Sequence, residues 1–328
     1  MATLVDPIGR KIEYLRVSVV DSCNLHCFYC SPKEACRPRT VRDQLSKEQI
    51  IRVIAAAAEL GIRKIRLTGG EPLIRKDIVE IVRDVAQING IEDLSLTTNG
   101  TLLAQLAKPL KEAGLKRVNI SLDSLDETNF ATITHGGDIK TTLTGIDAAV
   151  EVGLTPIKIN MVVIKDVNDH EIESFARMTL EKDIHVRFIE YMPLLGQEAS
   201  WKQHFLSSAE IMSYCASVAE LEALPEDDAH GPAKNYKFAG AKGILGFITP
   251  ISQHFCATCN RLRLTSDGKI KPCLFAEDVV DLMPALIAGQ NLHPLFLEAV
   301  SRKPLHEDIS PASLGGVFGP QGMVDIGG

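Results

Sequence analysis

Six short apolar runs alternate with longer helical patterns over the first two-thirds of the chain, and this alternation limits the fold more than anything else in it. The runs are Leu15–Val20, Lys64–Thr68, Asp93–Thr97, Arg117–Ser121, Ile157–Val163 and His185–Glu190. Between them lie segments of helical period. The clearest opens with a capping box, Ser46 to Gln49, carries Ile50, Ile54 and Ala58 down one face, and stops at Gly61. Others span Ile78–Gln87, Leu102–Ala113, Thr141–Val152, Glu171–Lys182 and Ser208–Glu220. Strand and helix in repeated alternation imply parallel strands with crossover helices, in a sheet or a barrel. Near Leu224–Pro232 the composition turns acidic and turn-rich, which reads as a boundary. The division expected is 1–225 and 226–328. Beyond it come strand-like stretches at Gly243–Thr249 and Arg261–Thr265 and a helical stretch near Val279–Ala288.

Within the strands, polar side chains alternate with apolar ones. Arg16 and Ser18 interleave with Leu15, Val17 and Val19. Lys64, Arg66 and Thr68 interleave with Ile65 and Leu67. Ser95 and Thr97, Asn119 and Ser121, and Lys158 and Asn160 repeat the pattern. Successive strand residues point to opposite faces. Crossover helices need an apolar face to pack on, so the polar set must face inward. An ordinary parallel barrel fills its interior with branched apolar residues. Burying Arg, Lys and Asn without partners is costly, so the expected interior is a ligand cavity of positive charge. The alternative is an open sheet whose polar face meets solvent.

The first run leads directly into Cys23-Asn24-Leu25-His26-Cys27-Phe28-Tyr29-Cys30. Three thiolates at this spacing can each take one corner of a cube-shaped iron–sulfur cluster. Four irons with three protein ligands leave one iron open, and an open site is where chemistry happens. A closed structural zinc site would need a fourth ligand, and no cysteine lies at a zinc-ribbon distance from the trio. The second group is Cys256-Ala257-Thr258-Cys259 with Cys273 further on, again three thiolates. Half of a zinc ribbon completed by His254 is the competing reading. Of eight cysteines, Cys36 and Cys215 stand alone; Cys215 lies in an apolar helical stretch and reads as core.

The chain starts without a basic, then apolar, leader, so a cytoplasmic location is expected, and cysteines there are more often metal or catalytic than disulfide-forming. No apolar run approaches a membrane span. A net charge of −7 argues against general affinity for nucleic acid or anionic membrane.

Three further pieces sit at strand ends: Thr68-Gly69-Gly70-Glu71-Pro72, Thr97-Thr98-Asn99-Gly100 and Ser121-Leu122-Asp123. A glycine pair lets backbone approach a ligand closely. Arg261 and Arg263 share one strand face and can fork onto phosphate oxygens together.

With these pieces in place the sequence resembles the molybdenum cofactor biosynthesis protein A family of radical S-adenosylmethionine (SAM) GTP 3',8-cyclases. The resemblance rests on Leu15-Arg16-Val17-Ser18, the Cys23–Cys30 loop, Arg66–Pro72, Leu96–Gly100, Asn119–Asp123, Arg187–Met192, Phe255–Arg263 and the final Ile326-Gly327-Gly328. It implies an incomplete six-stranded parallel (βα) barrel closed by a smaller C-terminal α+β segment. It implies two 4Fe-4S clusters, one on Cys23, Cys27 and Cys30 and one on Cys256, Cys259 and Cys273. S-adenosyl-L-methionine would meet Tyr29, Gly70, Ser121 and Met192. GTP would meet Arg16, Arg66, Thr97, Lys158 and the strand Arg261, Leu262 and Arg263, with Lys64 and Arg187 beside them. The implied reaction converts GTP to (8S)-3',8-cyclo-7,8-dihydroguanosine 5'-triphosphate, the first step of molybdenum cofactor biosynthesis. The implied partners are an external electron donor and the cyclic pyranopterin monophosphate synthase accessory enzyme downstream. A homodimer is left open. The Gly-Gly end is expected to reach the active site. Two other readings stand beside this one: a radical-SAM peptide maturase with an auxiliary cluster, and a cluster carrier. Two open irons and a polar interior argue against the carrier.

Overall fold

The computed structural model describes residues 3–30, 44–192, 198–225, 231–276 and 278–304. Cys36, part of the acidic boundary stretch and the Gly-Gly end lie outside them. The six expected strands are present as β1 (Tyr14–Ser18), β2 (Lys64–Thr68), β3 (Asp93–Thr98), β4 (Arg117–Ser121), β5 (Ile157–Val163) and β6 (Ile184–Glu190). They pair in chain order, all parallel. The crossovers are α1 (Lys47–Glu59), α2 (Ile78–Ala86), α3 (Leu103–Glu112), α4 (Glu127–Thr134) with α5 (Ile139–Glu151), and α6 (Ile172–Glu181). In α1 the capping box forms as the sequence predicts: Ser46 and Gln49 each satisfy the other's backbone N–H, and Ile50, Val53, Ile54, Ala57 and Ala58 are buried. Helix α4 was not legible as apolar periodicity; Asp126 starts it by accepting from the Asn129 N–H.

Helices α7 (Glu198–His204) and α8 (Ser208–Val218) lead into a second group of strands. These are β7 (Leu221–Ala223), β8 (Ala233–Phe238), β9 (Ile244–Ile248), β10 (Arg261–Leu264), β11 (Lys269–Lys271) and β12 (Val280–Asp281). They extend both edges of the first six. Strand β10 adds parallel to β1, and β9 adds parallel to β6. The rest are antiparallel, giving the order β12-β11-β10-β1-β2-β3-β4-β5-β6-β9-β8-β7. The barrel is thus incomplete, as expected, but the C-terminal segment does not close it by hydrogen bonding. It walls the interior while leaving β12 and β7 as separate edges. The helix expected over Val279–Ala288 is shorter. It runs only as α9 (Met283–Ile287), because Pro284 belongs in the first turn and Val280 pairs with Ile270 instead. The described chain ends after α10 (His293–Ser301).

The alternation within strands sorts the side chains. Leu15, Val17, Ile65, Leu67, Leu96, Val118, Ile120, Ile159, Val186, Leu262 and Leu264 are all buried in one continuous core under the helices. Each such side chain contributes about 1.5–3 kcal/mol on burial. The polar set faces the other way, yet Arg16, Asn119, Lys158, Arg187 and Arg263 are buried too. The polar face therefore lines an interior and does not meet bulk solvent. Cys215 is fully buried in the core, as expected.

Candidate active site

The two cysteine trios stand at opposite edges of the parallel sheet. The first follows β1 and so lies at the C-terminal edge. Backbone pairing continues past the strands: the Val19 N–H donates to Thr68 O, Gly70 N–H to Val20 O and Glu71 N–H to Ser22 O. This ladder holds the entrance to the cysteine loop. A Cβ at Gly70 would stand 2.2 Å from Ser22 O, and one at Gly69 2.2 Å from Val20 O. The glycine pair is thus required by the backbone that leads into the cysteine loop, which fills the space a side chain would need. Glu71 is fully buried and accepts from the Leu73 and Asn99 N–H groups and the Thr98 hydroxyl. Burial lifts its pKa to about 7 against those three hydrogen bonds. Asn99 in turn donates to Asn24, on the cysteine loop. Two residues past β4, Asp123 accepts from the Tyr29 hydroxyl at 2.5 Å and from the Val162 N–H. Burial pushes Asp123 up to about 6.

The second trio belongs to the N-terminal edge. Tyr14, at the start of β1, is in register with Arg261, and Cys259 comes two residues before it. Strand β11 runs back antiparallel from Arg263 opposite Lys271, which delivers Cys273 to the same end. Burial raises the Cys259 thiol, but Arg261 and Lys303 outweigh it and bring the pKa down to about 6. None of the described cysteines forms a disulfide. Among the described residues no three His, Cys, Asp or Glu side chains are gathered to hold a single metal ion. Three thiols and a glycine cradle at one edge, and three thiols beside buried cations at the other, fit the larger cluster that three-cysteine sets carry.

Between the trios lies one cavity of about 570 Å³. It is lined by all six cysteines, by Tyr29, Gly70, Ser121 and Met192, and by Arg16, Lys64, Arg66, Thr97, Lys158, Arg187, Arg261 and Arg263. Leu262 is placed differently. Strand alternation turns its side chain into the core, fully buried, so it can offer the cavity only backbone. Carboxylates in the lining are fewer than the cations: Asp93, Asp123 and Glu190. Asp93 is engaged in a two-pronged ion pair with Arg117. Glu190 is saturated by the Ser208, Ile251 and Ser252 N–H groups and the Ser252 hydroxyl.

The cations are held at a cost. Burial, then Arg187, Arg117 and Arg66, push Lys158 down to about 6. Burial, then Arg66, bring Arg187 to about 9, and burial with Arg261 brings Arg263 to about 10. Arg16 is lowered by burial and then by Arg263. Several buried polar atoms have no partner: Tyr14 OH, Thr97 Oγ1, Asn160 Oδ1 and Arg187 Nε. Buried groups of this kind are normally hydrogen-bonded; acceptor oxygens of a ligand would suit the Tyr14, Thr97 and Arg187 donors, whereas Asn160 Oδ1 calls for a donor. Tyr14, Arg117 and Lys303 were missed from the sequence. Tyr14 and Arg117 share the inward parity of Arg16 and Asn119 and could have been found by extending the alternation one step. Lys303 follows a helix end and carries no such signal.

The radical SAM superfamily model matches residues 17–179, and the Molybdenum Cofactor Synthesis C model matches residues 184–309. A GTP 3',8-cyclase from Peptoclostridium acidaminophilum is 44% identical over 328 residues, 100% of this chain and 99% of the relative. One from Listeria welshimeri is 46% identical over 311 residues, 94% of this chain and 93% of the relative. The chain belongs to the radical SAM GTP 3',8-cyclase family. Membership brings a 4Fe-4S cluster and SAM binding with it. Among solved structures, Streptococcus suis SuiB bound to S-adenosylmethionine superimposes with a TM-score of 0.63 at 17% identity, covering 88% of this chain and 68% of SuiB. That likeness concerns the fold. Among the described residues no helix is long and apolar enough to cross a membrane.

Proposed function

We propose that this GTP 3',8-cyclase family member converts GTP to (8S)-3',8-cyclo-7,8-dihydroguanosine 5'-triphosphate, with two 4Fe-4S clusters at the two ends of one cavity. The observation that carries the reading is the cavity itself: thiol trios at opposite sheet edges, and a row of buried cations between them. Cys23, Cys27 and Cys30 would hold the first cluster, and Tyr29, Gly70, Ser121 and Met192 would receive SAM. When bound, these groups supply a carbon-centred radical. Cys256, Cys259 and Cys273 would hold the second cluster. Arg16, Lys64, Arg66, Lys158, Arg187, Arg261 and Arg263 supply charge-assisted donors for triphosphate oxygens, and Thr97 adds a hydroxyl. The chain's own contribution is to fix the nucleotide so that its ribose faces one edge and its base the other, and to exclude water. No general base is needed for a reaction begun by hydrogen-atom transfer. A division at residues 225 and 226, a cytoplasmic location, an external electron donor and the downstream pyranopterin-forming enzyme belong to the same proposal. A peptide maturase is a poorer fit, because a cationic, enclosed lining suits a triphosphate better than a peptide.

The test is anaerobic incubation of the reconstituted protein with SAM, dithionite and GTP deuterated at the 3' ribose carbon. Mass spectrometry should find the deuterium in 5'-deoxyadenosine and a cyclised nucleotide of unchanged triphosphate count. Deuterium retained in GTP while SAM is cleaved overturns the reading.

A further inference from the structure

Lys303 lies just past α10, and its side chain is buried, 4% of the residue being exposed. Its ammonium donates to Arg261 O at 2.8 Å and to Pro272 O at 2.9 Å, and stands 3.6 Å from Cys259 Sγ. Those three acceptors belong to both arms of the second trio. Arg261 follows Cys259 by two residues, and Pro272 precedes Cys273. Arg10 braces the same place from the other side, donating to Cys256 O at 2.5 Å and to Pro304 O at 3.2 Å. Two of the three acceptors of Lys303 are neutral carbonyls. The third is the sulfur of Cys259, one of the three that would hold the cluster.

We infer that Lys303 is a positioning residue of the second trio: it clamps the Cys256–Cys259 arm to the Cys273 arm and sets the reduction potential of the cluster they hold. This rests on the proposed second cluster. Cluster potentials follow net charge and hydrogen bonds to sulfur. The reduced cluster carries one more negative charge than the oxidised one, so it gains more from a neighbouring cation. Removing that cation makes reduction harder.

The experiment is a redox titration followed by electron paramagnetic resonance on the full chain. A Cys27→Ser background leaves only the second trio intact. Lys303→Met and Lys303→Gln should each weaken the one-electron reduction equilibrium about tenfold, a negative shift of about 59 mV. Lys303→Arg, which keeps the charge, should stay near the parent. The first cluster, titrated in a Cys259→Ser background, should not move. An unchanged midpoint in both neutral variants overturns the inference. Cluster loss in both neutral variants with retention in Lys303→Arg supports it. Loss in all three makes Lys303 a packing residue and overturns it. Iron counting separates this from the parent reading. About four irons per chain in the wild type removes the second cluster and Lys303's role together, whereas about eight with an unmoved midpoint removes only the latter.

Discussion

Lys158 is the residue at which the cavity's charge can be read most directly. Its pKa of about 6 follows from burial first, then from Arg187, Arg117 and Arg66. An unfolded lysine titrates near 10.4. Between about pH 6 and 10 the unfolded chain therefore binds the extra proton, so stability measured without added nucleotide should rise with pH across that window. A bound triphosphate reverses the balance by offering an anion, and Lys158 must then take up a proton. GTP binding at pH 8 should be accompanied by proton uptake, and its affinity should fall as pH rises from 6 to 9. Calorimetry in buffers of differing ionisation enthalpy checks this, and a buffer-independent heat would contradict it. Lys158→Met should cost GTP binding about 1.5–3 kcal/mol and abolish the uptake. The inward row of which Lys158 is part was legible because strand parity is strict: one polar position fixes its neighbours two residues away. Lys303 was illegible for the opposite reason. Its role depends on where the end of α10 docks, and local pattern holds no record of that contact.

At the scale of elements, the legible parts are those whose apolar period and caps agree. Helix α1 was readable to within a residue because Ser46, Gln49 and the buried stripe from Ile50 to Ala58 all say the same thing. The strands β2, β4 and β5 were readable to the residue. The C-terminal strands were harder: β12 is two residues long, and only its partner makes it a strand. The turn after β2 carried a correct signal with an incomplete reason. Gly69 and Gly70 suggested close approach to a ligand, and the closest approach is to the backbone of Val20 and Ser22, which leads into the cysteine loop. A methyl group at Gly70 must displace Ser22 or Cys23, since backbone at 2.2 Å cannot yield as a flexible side chain would. Gly70→Ala should therefore lose the first cluster while keeping the second. Iron should fall from about eight to about four per chain, with circular dichroism little changed. A variant that reconstitutes fully would mean that the loop relaxes without cost.

Across the whole molecule, the unusual feature is that chemistry-bearing residues occupy both edges of one sheet. Folds of this class ordinarily collect their functional side chains at the C-terminal edge, and the first trio obeys that rule. The second breaks it, because β10 joins the sheet beside β1 and carries Cys259 in at the edge where Tyr14 begins. The two ends of the sheet that carry the trios are separated by the length of β1, five residues, or roughly 15 Å at about 3.3 Å per residue. A ligand that touches both ends must be elongated, with anionic groups near the cations between them. If the ends are served by separate groups, they must fail separately. Cys27→Ser should abolish SAM cleavage altogether, because its edge loses a ligand. Cys259→Ser should leave SAM cleavage measurable as 5'-deoxyadenosine while cyclised nucleotide disappears, because only the far end of the cavity is damaged. The ratio of the two products, measured on the same sample for each variant, is the observable. Equal loss of both products in Cys259→Ser would mean that the two edges act as one site, and the arrangement of the sheet would then have no bearing on the division of labour.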